Sequence, residues 1–516
     1  MLKEWSDQAL GALGRASAAH TAGIVRMQIG RVLSVGDGVA RISGLPGARA
    51  GEVLEIEGGA RALVLDLDSG VIGAVLLDPD SNVAAGAKVR TTGEVATVPV
   101  GDGLIGRVID PLGRVLDHGG RLEAAGRFPV ERAATPIIHR APVSVPLQTG
   151  ILAVDAFVPV GRGQRELILG DRQTGKTAIA LDAIINQKET GVVCVYAAIG
   201  QRASAVARAL HSLRVHGALG HTVVVVAGSD DPPGLQYLAP YAAMSVAEYF
   251  MEQGRDALVV FDDLTKHAYA YRELSLILRR PPGREAFPSD IFYAHSRLLE
   301  RATARRKEHG GGSVTALPIA ETQAQNIAAY IPTNLISITD GQIYLDSELF
   351  HKNIRPAVDI GLSVSRVGGK SQLKAYRSAV ANLKLAYSQF LELELFSRLG
   401  TRLDEHSEQV IRRGREIREI LRQPNLSPIP AAEQVGLLVA LTAGAFAELP
   451  LEKVKAAEER VRARLRSEVA DILAAIERGE ALESAGRERL IELGRAAAGE
   501  VARETAQETT GKASAR

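Results

Sequence analysis

The sequence has little of several things. A single cysteine, Cys194, stands among 516 residues, which excludes a disulfide framework and a cysteine-built zinc site. Aromatic residues make up 4% of the chain with one tryptophan, Trp5, and between Trp5 and Phe128 there is no Phe, Tyr or Trp. Surfaces that stack unpaired bases need such rings, so this part of the chain is poorly suited to single-stranded nucleic acid. Neither sign of charge prevails: Lys+Arg 61 against Asp+Glu 60 leaves a net charge of +1. No global field draws the chain to nucleic acid or an anionic bilayer, and any such binding is local. Long apolar runs are also missing. The longest, Val435 to Ala447, falls short of the ~20 residues that span a bilayer. Glu4 and Asp7 interrupt the N-terminal segment, and no apolar stretch follows. That argues against a transit peptide or secretory signal.

What is present is ordinary globular composition, 46% hydrophobic and 23% charged, with length for roughly three domains. Over residues 1–26, Leu2, Trp5, Ala9, Leu10 and Leu13 fall at helical spacing. Such a short amphipathic helix packs on its own domain or docks to a partner. Residues 27–95 change to short alternating runs broken by glycines, the pattern of a small β-barrel. Residues 96–370 alternate apolar runs such as Val192–Tyr196 and Ala257–Phe261 with helical segments. Continuous apolar strands between helices predict a parallel sheet covered on both faces, an α/β domain. Residues 371–493 read as a helical domain, and 494–516 as a polar, flexible tail.

Gly170-Asp171-Arg172-Gln173-Thr174-Gly175-Lys176-Thr177 fits the phosphate-binding loop G-x-x-x-x-G-K-[ST], with an apolar strand entering and a helical segment leaving. The loop's backbone N–H groups wrap phosphate oxygens, Lys176 supplies a point charge, and the Thr177 hydroxyl suits Mg²⁺. Asp262 is the first polar residue past the apolar run 257–261, a position from which a carboxylate orients that metal. Asp263 beside it suits a helix N-cap.

Other signals carry less. Gly101-Asp-Gly-Leu-Ile-Gly106 is followed by Pro111 and Gly113, so it reads as a turn rather than a dinucleotide site. His211, His216 and His221 do not share a helical face. The basic run Arg301 to Lys307, flanked by Glu300 and Glu308, reads as a solvated helix face.

The stretch Gly161 to Thr177 closely resembles the alpha subunits of F-type ATP synthases. So do Gly30–Gly38, Ala198–Gln201, Gln236–Tyr241, Tyr330–Asn334, Ile338–Gln342 and Gly361–Gly368. The resemblance runs from about Gln28 to Leu449. It implies a β-barrel, a RecA-type P-loop nucleotide-binding domain and a C-terminal α-helical bundle, in an alternating ring of three alpha and three beta subunits around a central-stalk gamma subunit. It further implies ATP and Mg²⁺ as ligands, held without turnover, because the catalytic subunit has a glutamate where this chain has Gln201. Arg366 matches the residue that reaches the neighbouring beta subunit's phosphate, and Ser363 matches a position needed for activity. Arg355, Pro356 and Gln423 match positions near the base or ribose, and Asn425 stands where many relatives carry glutamine. The N-terminus is implied to meet a peripheral-stalk, delta-type subunit, on the cytoplasmic face of a bacterial plasma membrane.

The chain departs from the family pattern in residues 1–20, at Arg402 in a rotor-facing loop, and in Ser229–Gly234. Two competing readings weaken on residues. A nucleic-acid translocase with the same core is disfavoured by neutral charge and the ring-free barrel, and a protein-export ATPase by the missing base at Gln201. A paralogous alpha subunit in a variant rotary complex remains compatible with the departures.

Overall fold

A computed structural model of the chain describes residues 28–397 and 404–514. The expected N-terminal docking helix, with Trp5, and the loop with Arg402 lie outside the described residues. The chain divides into two compact units, Met1–Val95 and Ala96–Arg516.

In the first unit, six strands form a closed barrel. They are β1 (Ile29–Gly36), β2 (Val39–Ser43), β3 (Glu52–Ile56), β4 (Arg61–Asp68), β5 (Val71–Leu76) and β6 (Lys88–Val95). They are paired β1-β2-β5-β4-β3-β6, each neighbour antiparallel, and β6 returns to β1. Closure removes the unpaired edges that would otherwise recruit another strand. The core is aliphatic and small, with Val32, Ile42, Leu54, Ala62, Ala74 and Val89 fully enclosed. Alternation along each strand sends the remaining side chains outward.

The second unit is built on a largely parallel sheet. In chain order its main strands are β7 (Val108–Ile109), β8 (Leu167–Gly170), β9 (Val193–Gln201), β10 (Thr222–Gly228), β11 (Asp256–Asp262), β12 (Ser313–Glu321), β13 (Gly341–Leu345) and β14 (Val364–Ser365). They lie in the order β14-β13-β8-β12-β11-β9-β10-β7, and only the edge strand β14 runs antiparallel to its neighbour. The strands are apolar throughout because helices cover both faces. One of these, α3 (Pro233–Glu252), is buried along almost its whole length.

Helices take over after Lys374, with no separate core of their own. One continuous apolar cluster runs from Ile168, Val260 and Leu317 in the sheet to Leu438, Leu441, Val461 and Leu493 among the C-terminal helices. The segment expected to be a flexible tail is a correction to the sequence reading. The last helix continues from Ser484 to Ser514, and Leu493, Ala497, Ala498 and Val501 are buried. Alanines let helices approach closely, so a stretch that looks polar still carries a packing stripe.

Arg301 also departs from expectation. The helix before it ends at Leu299, and Arg301 is only 1% exposed. Its Nε donates to Glu248 Oε1 at 2.9 Å and its Nη2 to Glu248 Oε2 at 2.8 Å. Further hydrogen bonds reach Val130 O and Ser245 Oγ. A guanidinium forked onto a carboxylate, with every nitrogen hydrogen-bonded, is the form in which a buried charge survives.

Candidate nucleotide site

Strand β8 delivers the chain to Gly170, and helix α1 (Lys176–Ile185) departs from Lys176. The intervening loop turns through two left-handed residues, Gln173 at φ +63° and Gly175 at φ +101°. Open space surrounds Gly175 on its Cβ side, so backbone conformation rather than crowding requires glycine there. This bend aims the first N–H groups of α1, with their partial positive charge, into the loop.

Each loop side chain has a defined place. Lys176 is buried, and its Nζ donates to Gly170 O at 2.9 Å and Asp171 O at 2.5 Å. Burial lowers its pKa, opposed by the nearby carboxylates Glu321, Asp263, Asp262 and Asp171. Asp171 faces away from the cradle and accepts from Thr322 Oγ1, Gln325 N and Ser347 Oγ. Burial pushes its pKa up, and these hydrogen bonds outweigh that to leave it lowered. Thr174 Oγ1 donates to Asp171 O at 2.8 Å. Arg172 is exposed and pairs with Glu321 at 3.0 Å.

The metal side of the site converges on Asp262, at the end of β11. Thr177 Oγ1 donates to its Oδ2 at 2.8 Å, and Tyr196 OH donates to the same oxygen at 2.8 Å. Gln201 Nε2 donates to Oδ1 at 2.7 Å, while Lys266 Nζ donates to Gln201 Oε1 at 2.7 Å. Burial raises the Asp262 pKa, and the Thr177 and Tyr196 hydrogen bonds pull it back. Asp263 caps α4 (Leu264–Ile277), accepting from Lys266 N at 2.7 Å, and burial raises its pKa to about 7. Sequence reasoning missed Tyr196 and Lys266. Tyr196 lies inside an apolar strand run and reads as core, whereas Lys266, three residues after a capping aspartate, was visible but unremarked.

A cleft beside the loop is lined by Thr174, Ile179, Phe350, Arg355, Pro356 and Asn425, among others. The Arg355 guanidinium lies 4.7 Å from the centre of the Phe350 ring. Gln423 belongs to the wall, but its amide is engaged inside the protein: Oε1 accepts from Leu152 N at 3.0 Å, and Nε2 donates to Gly150 O and Ser427 O, each at 2.8 Å. Asn425 is exposed at the rim. Asp182, on α1, also lines the cleft, with Oδ2 accepting from Leu426 N at 3.1 Å.

Arg366 and Ser363 lie elsewhere, and neither lines this cleft. Arg366 is exposed just past the edge strand β14. Its guanidinium donates to Thr339 O at 3.2 Å and Ile336 O at 3.3 Å, at the carbonyl end of helix α6 (Tyr330–Ile338). Ser363, expected among the catalytic residues, is buried, and its Oγ accepts from Tyr344 N at 2.9 Å. The hydroxyl braces β13 and is not presented to a reactant.

Comparisons with known proteins cover most of the chain. Residues 25–93 match the model described as the ATP synthase alpha/beta family, beta-barrel domain. Residues 150–365 match the nucleotide-binding domain of that family, and residues 372–497 the ATP synthase alpha/beta chain, C terminal domain. The chain belongs to the ATP synthase alpha/beta family.

Among its relatives, the ATP synthase subunit alpha 2 of Albidiferax ferrireducens is 55% identical over 496 residues, covering 96% of this chain and 93% of that one. The ATP synthase subunit alpha 1 of Chlorobium luteolum is 57% identical over 496 residues, covering 96% and 97%. For a family member, the residues present fit a magnesium nucleotide. The loop would offer backbone donors and a lysine to phosphate, the Thr177 hydroxyl a hard oxygen to the metal, and Asp262, hydrogen-bonded to Thr177, a carboxylate to orient it. Among the described residues no helix is long and apolar enough to cross a membrane.

Proposed function

We propose that the chain is the alpha subunit of a rotary ATP synthase, holding Mg-ATP without hydrolysing it and completing the sites of neighbouring beta subunits. It would alternate with beta in a ring around a gamma stalk, peripheral to the cytoplasmic face of a bacterial membrane. A delta-type peripheral-stalk subunit would meet its N-terminus. One observation carries the division of labour. At the position from which a base would act on water, the neutral amide of Gln201 bridges Asp262 and Lys266, and an amide cannot take a proton from a nucleophile. Lys176 and the loop N–H groups would hold the phosphates, and Thr177 with Asp262 would orient the metal, which neutralises phosphate charge. Arg355, Pro356 and Asn425 would flank the base, and Gln423 would shape that wall through its backbone links. Arg366, outside its own cleft and donating to the Thr339 and Ile336 carbonyls, would serve an adjoining subunit.

The test uses the full chain and the assembled ring. Lys176→Ala should abolish Mg-ATP binding by the isolated chain. Arg366→Ala should leave that binding intact while lowering multisite turnover of the ring on the order of 10³-fold or more. Sustained hydrolysis by the isolated chain would overturn the proposal, as would loss of its own ATP on Arg366→Ala.

A further inference from the structure

Asp182 is a carboxyl on the cleft wall, 5% exposed, to which no task has been given above. Aspartate is seldom enclosed without partners for both of its oxygens. One oxygen here is engaged: Leu426 N donates to Oδ2 at 3.1 Å, and the next N–H, of Ser427, also favours the charged form. The other is not. Oδ1 is buried without a hydrogen-bond partner among the described residues. An enclosed acceptor left in that condition is costly, and a donor brought by a ligand removes the cost.

The other polar side chains that line the cleft do not duplicate this acceptor. Gln423 has both ends of its amide committed to backbone groups. Thr174 belongs to the phosphate loop, and its Oγ1 donates to Asp171 O. Arg355 can only donate, and Asn425 is exposed at the rim. Asp182 lies six residues beyond Lys176 on α1, about 9 Å along the helix axis at 1.5 Å per residue. Phosphates held at Lys176 put a nucleotide's sugar nearer than that and its base at the greater distance. The apolar part of the lining, which includes Ile179, Phe350 and Pro356, suits the flat rings of a base. The free oxygen then narrows the choice, because a carboxylate accepts and never donates. Guanine presents two adjacent donors on its ring edge and calls for both oxygens of a carboxylate, whereas adenine presents one, its six-amino group. With Oδ2 held by Leu426, a single acceptor matches a single donor.

We infer that Asp182 is a specificity-determining residue: its Oδ1 accepts a hydrogen bond from the six-amino group of the base and so selects adenine over bases that carry a carbonyl oxygen there. The inference rests on the reading that this cleft takes a nucleotide, and the two can fail separately. The Leu426 link also fixes what a change at this position does. In Asp182→Asn the amide oxygen must occupy the Oδ2 place to accept from Leu426 N. That puts the NH₂ where Oδ1 lies and turns the acceptor into a donor.

The experiment measures dissociation constants of the full chain, with Mg²⁺, for three nucleotides. They are ATP, ITP, whose base has an oxygen in place of the amino group, and purine riboside triphosphate, which has only hydrogen there. Wild type should bind ATP about tenfold more tightly than either of the others, the scale set by one buried group left unpaired. Asp182→Asn should weaken ATP about tenfold, tighten ITP, and leave purine riboside triphosphate nearly unchanged. Equal affinity of wild type for all three overturns the inference, and so does an ATP-to-ITP ratio that Asp182→Asn does not move. Parallel weakening of all three in the variant also overturns it, since Asp182 would then serve only to hold the loop at Leu426. If Asp182→Asn does not fold, the wild-type comparison of ATP with purine riboside triphosphate decides alone. If wild type binds none of the three, the nucleotide reading itself falls; binding without discrimination leaves that reading standing and removes only the role of Asp182.

Discussion

Gln201 and Asp262 meet at 2.7 Å, amide nitrogen to carboxylate oxygen, while Thr177 donates to the other oxygen of the same carboxylate. The amide fixes the orientation of the carboxylate and adds no charge. Gln201→Glu would set two carboxylates against each other in a buried place, with Lys266 able to offset only part of the repulsion. We expect the variant chain to lose about 2 kcal/mol of stability without divalent cation and to recover most of it with Mg²⁺. Thermal unfolding with and without MgCl₂ checks this. Equal melting temperatures for variant and wild type in both conditions would show that the two residues do not share a metal-binding role.

Arg301 and Glu248 form a buried pair whose removal should be costly on one side only. Arg301→Ala leaves Glu248 with the half-buried Arg132 as its remaining cation, at 3.1 Å, and should lower stability by about 3 kcal/mol. Replacing both partners by apolar residues of similar volume should recover much of that loss. Denaturant unfolding of the two singles and the double variant measures it, and additive losses would contradict the pairing.

His267 and His295 share a hydrogen bond of 3.1 Å in a fully buried cluster. Burial pushes the His267 pKa down to about 4 and lowers that of His295 as well. An unfolded histidine titrates near pH 6.5. Below that pH the unfolded chain takes up protons that the fold refuses, so stability falls as pH drops from about 6.5 toward 4. His267→Gln should flatten the decline of melting temperature over that window, and an unchanged slope would count against this account.

Asp182 bears the opposite sign. Burial raises its pKa to about 6, so the fold keeps a proton that the unfolded chain gives up near 4. Its contribution worsens as pH rises from about 4 to 6 and stays unfavourable above. Asp182→Asn should therefore stabilise the chain at pH 8 by about 2 kcal/mol and scarcely at pH 4. A gain independent of pH would point to packing instead.

Much of this was legible in the sequence because the deciding information was local. A glycine before Lys176 announces a left-handed turn, and Asp262 announces itself as the first polar residue after five apolar ones. Alternation marks the barrel strands, and unbroken apolar runs mark the covered sheet. Arg301 was misread because neighbours in sequence suggested solvent, whereas its burial is decided by Glu248, far away in the chain. Ser363 was expected at a position needed for activity and Gln423 near the base or ribose; the hydrogen bonds they make instead close on Tyr344, Leu152 and Gly150, partners distant in sequence. The continuation of the last helix beyond residue 493 was missed because alanine registers weakly as hydrophobic, although its small size suits close packing.

The amides of Gln423 and Gln434 reach from the C-terminal region to Leu152, Gly150 and Asp155, before the phosphate loop. A protease nick between residue 371 and the next helix would therefore free no independent fragment. Each half would expose an apolar face shaped for the other, and the pair would remain associated until denatured. Expression of residues 96–370 alone should yield insoluble material, and co-expression of the missing helices should rescue it.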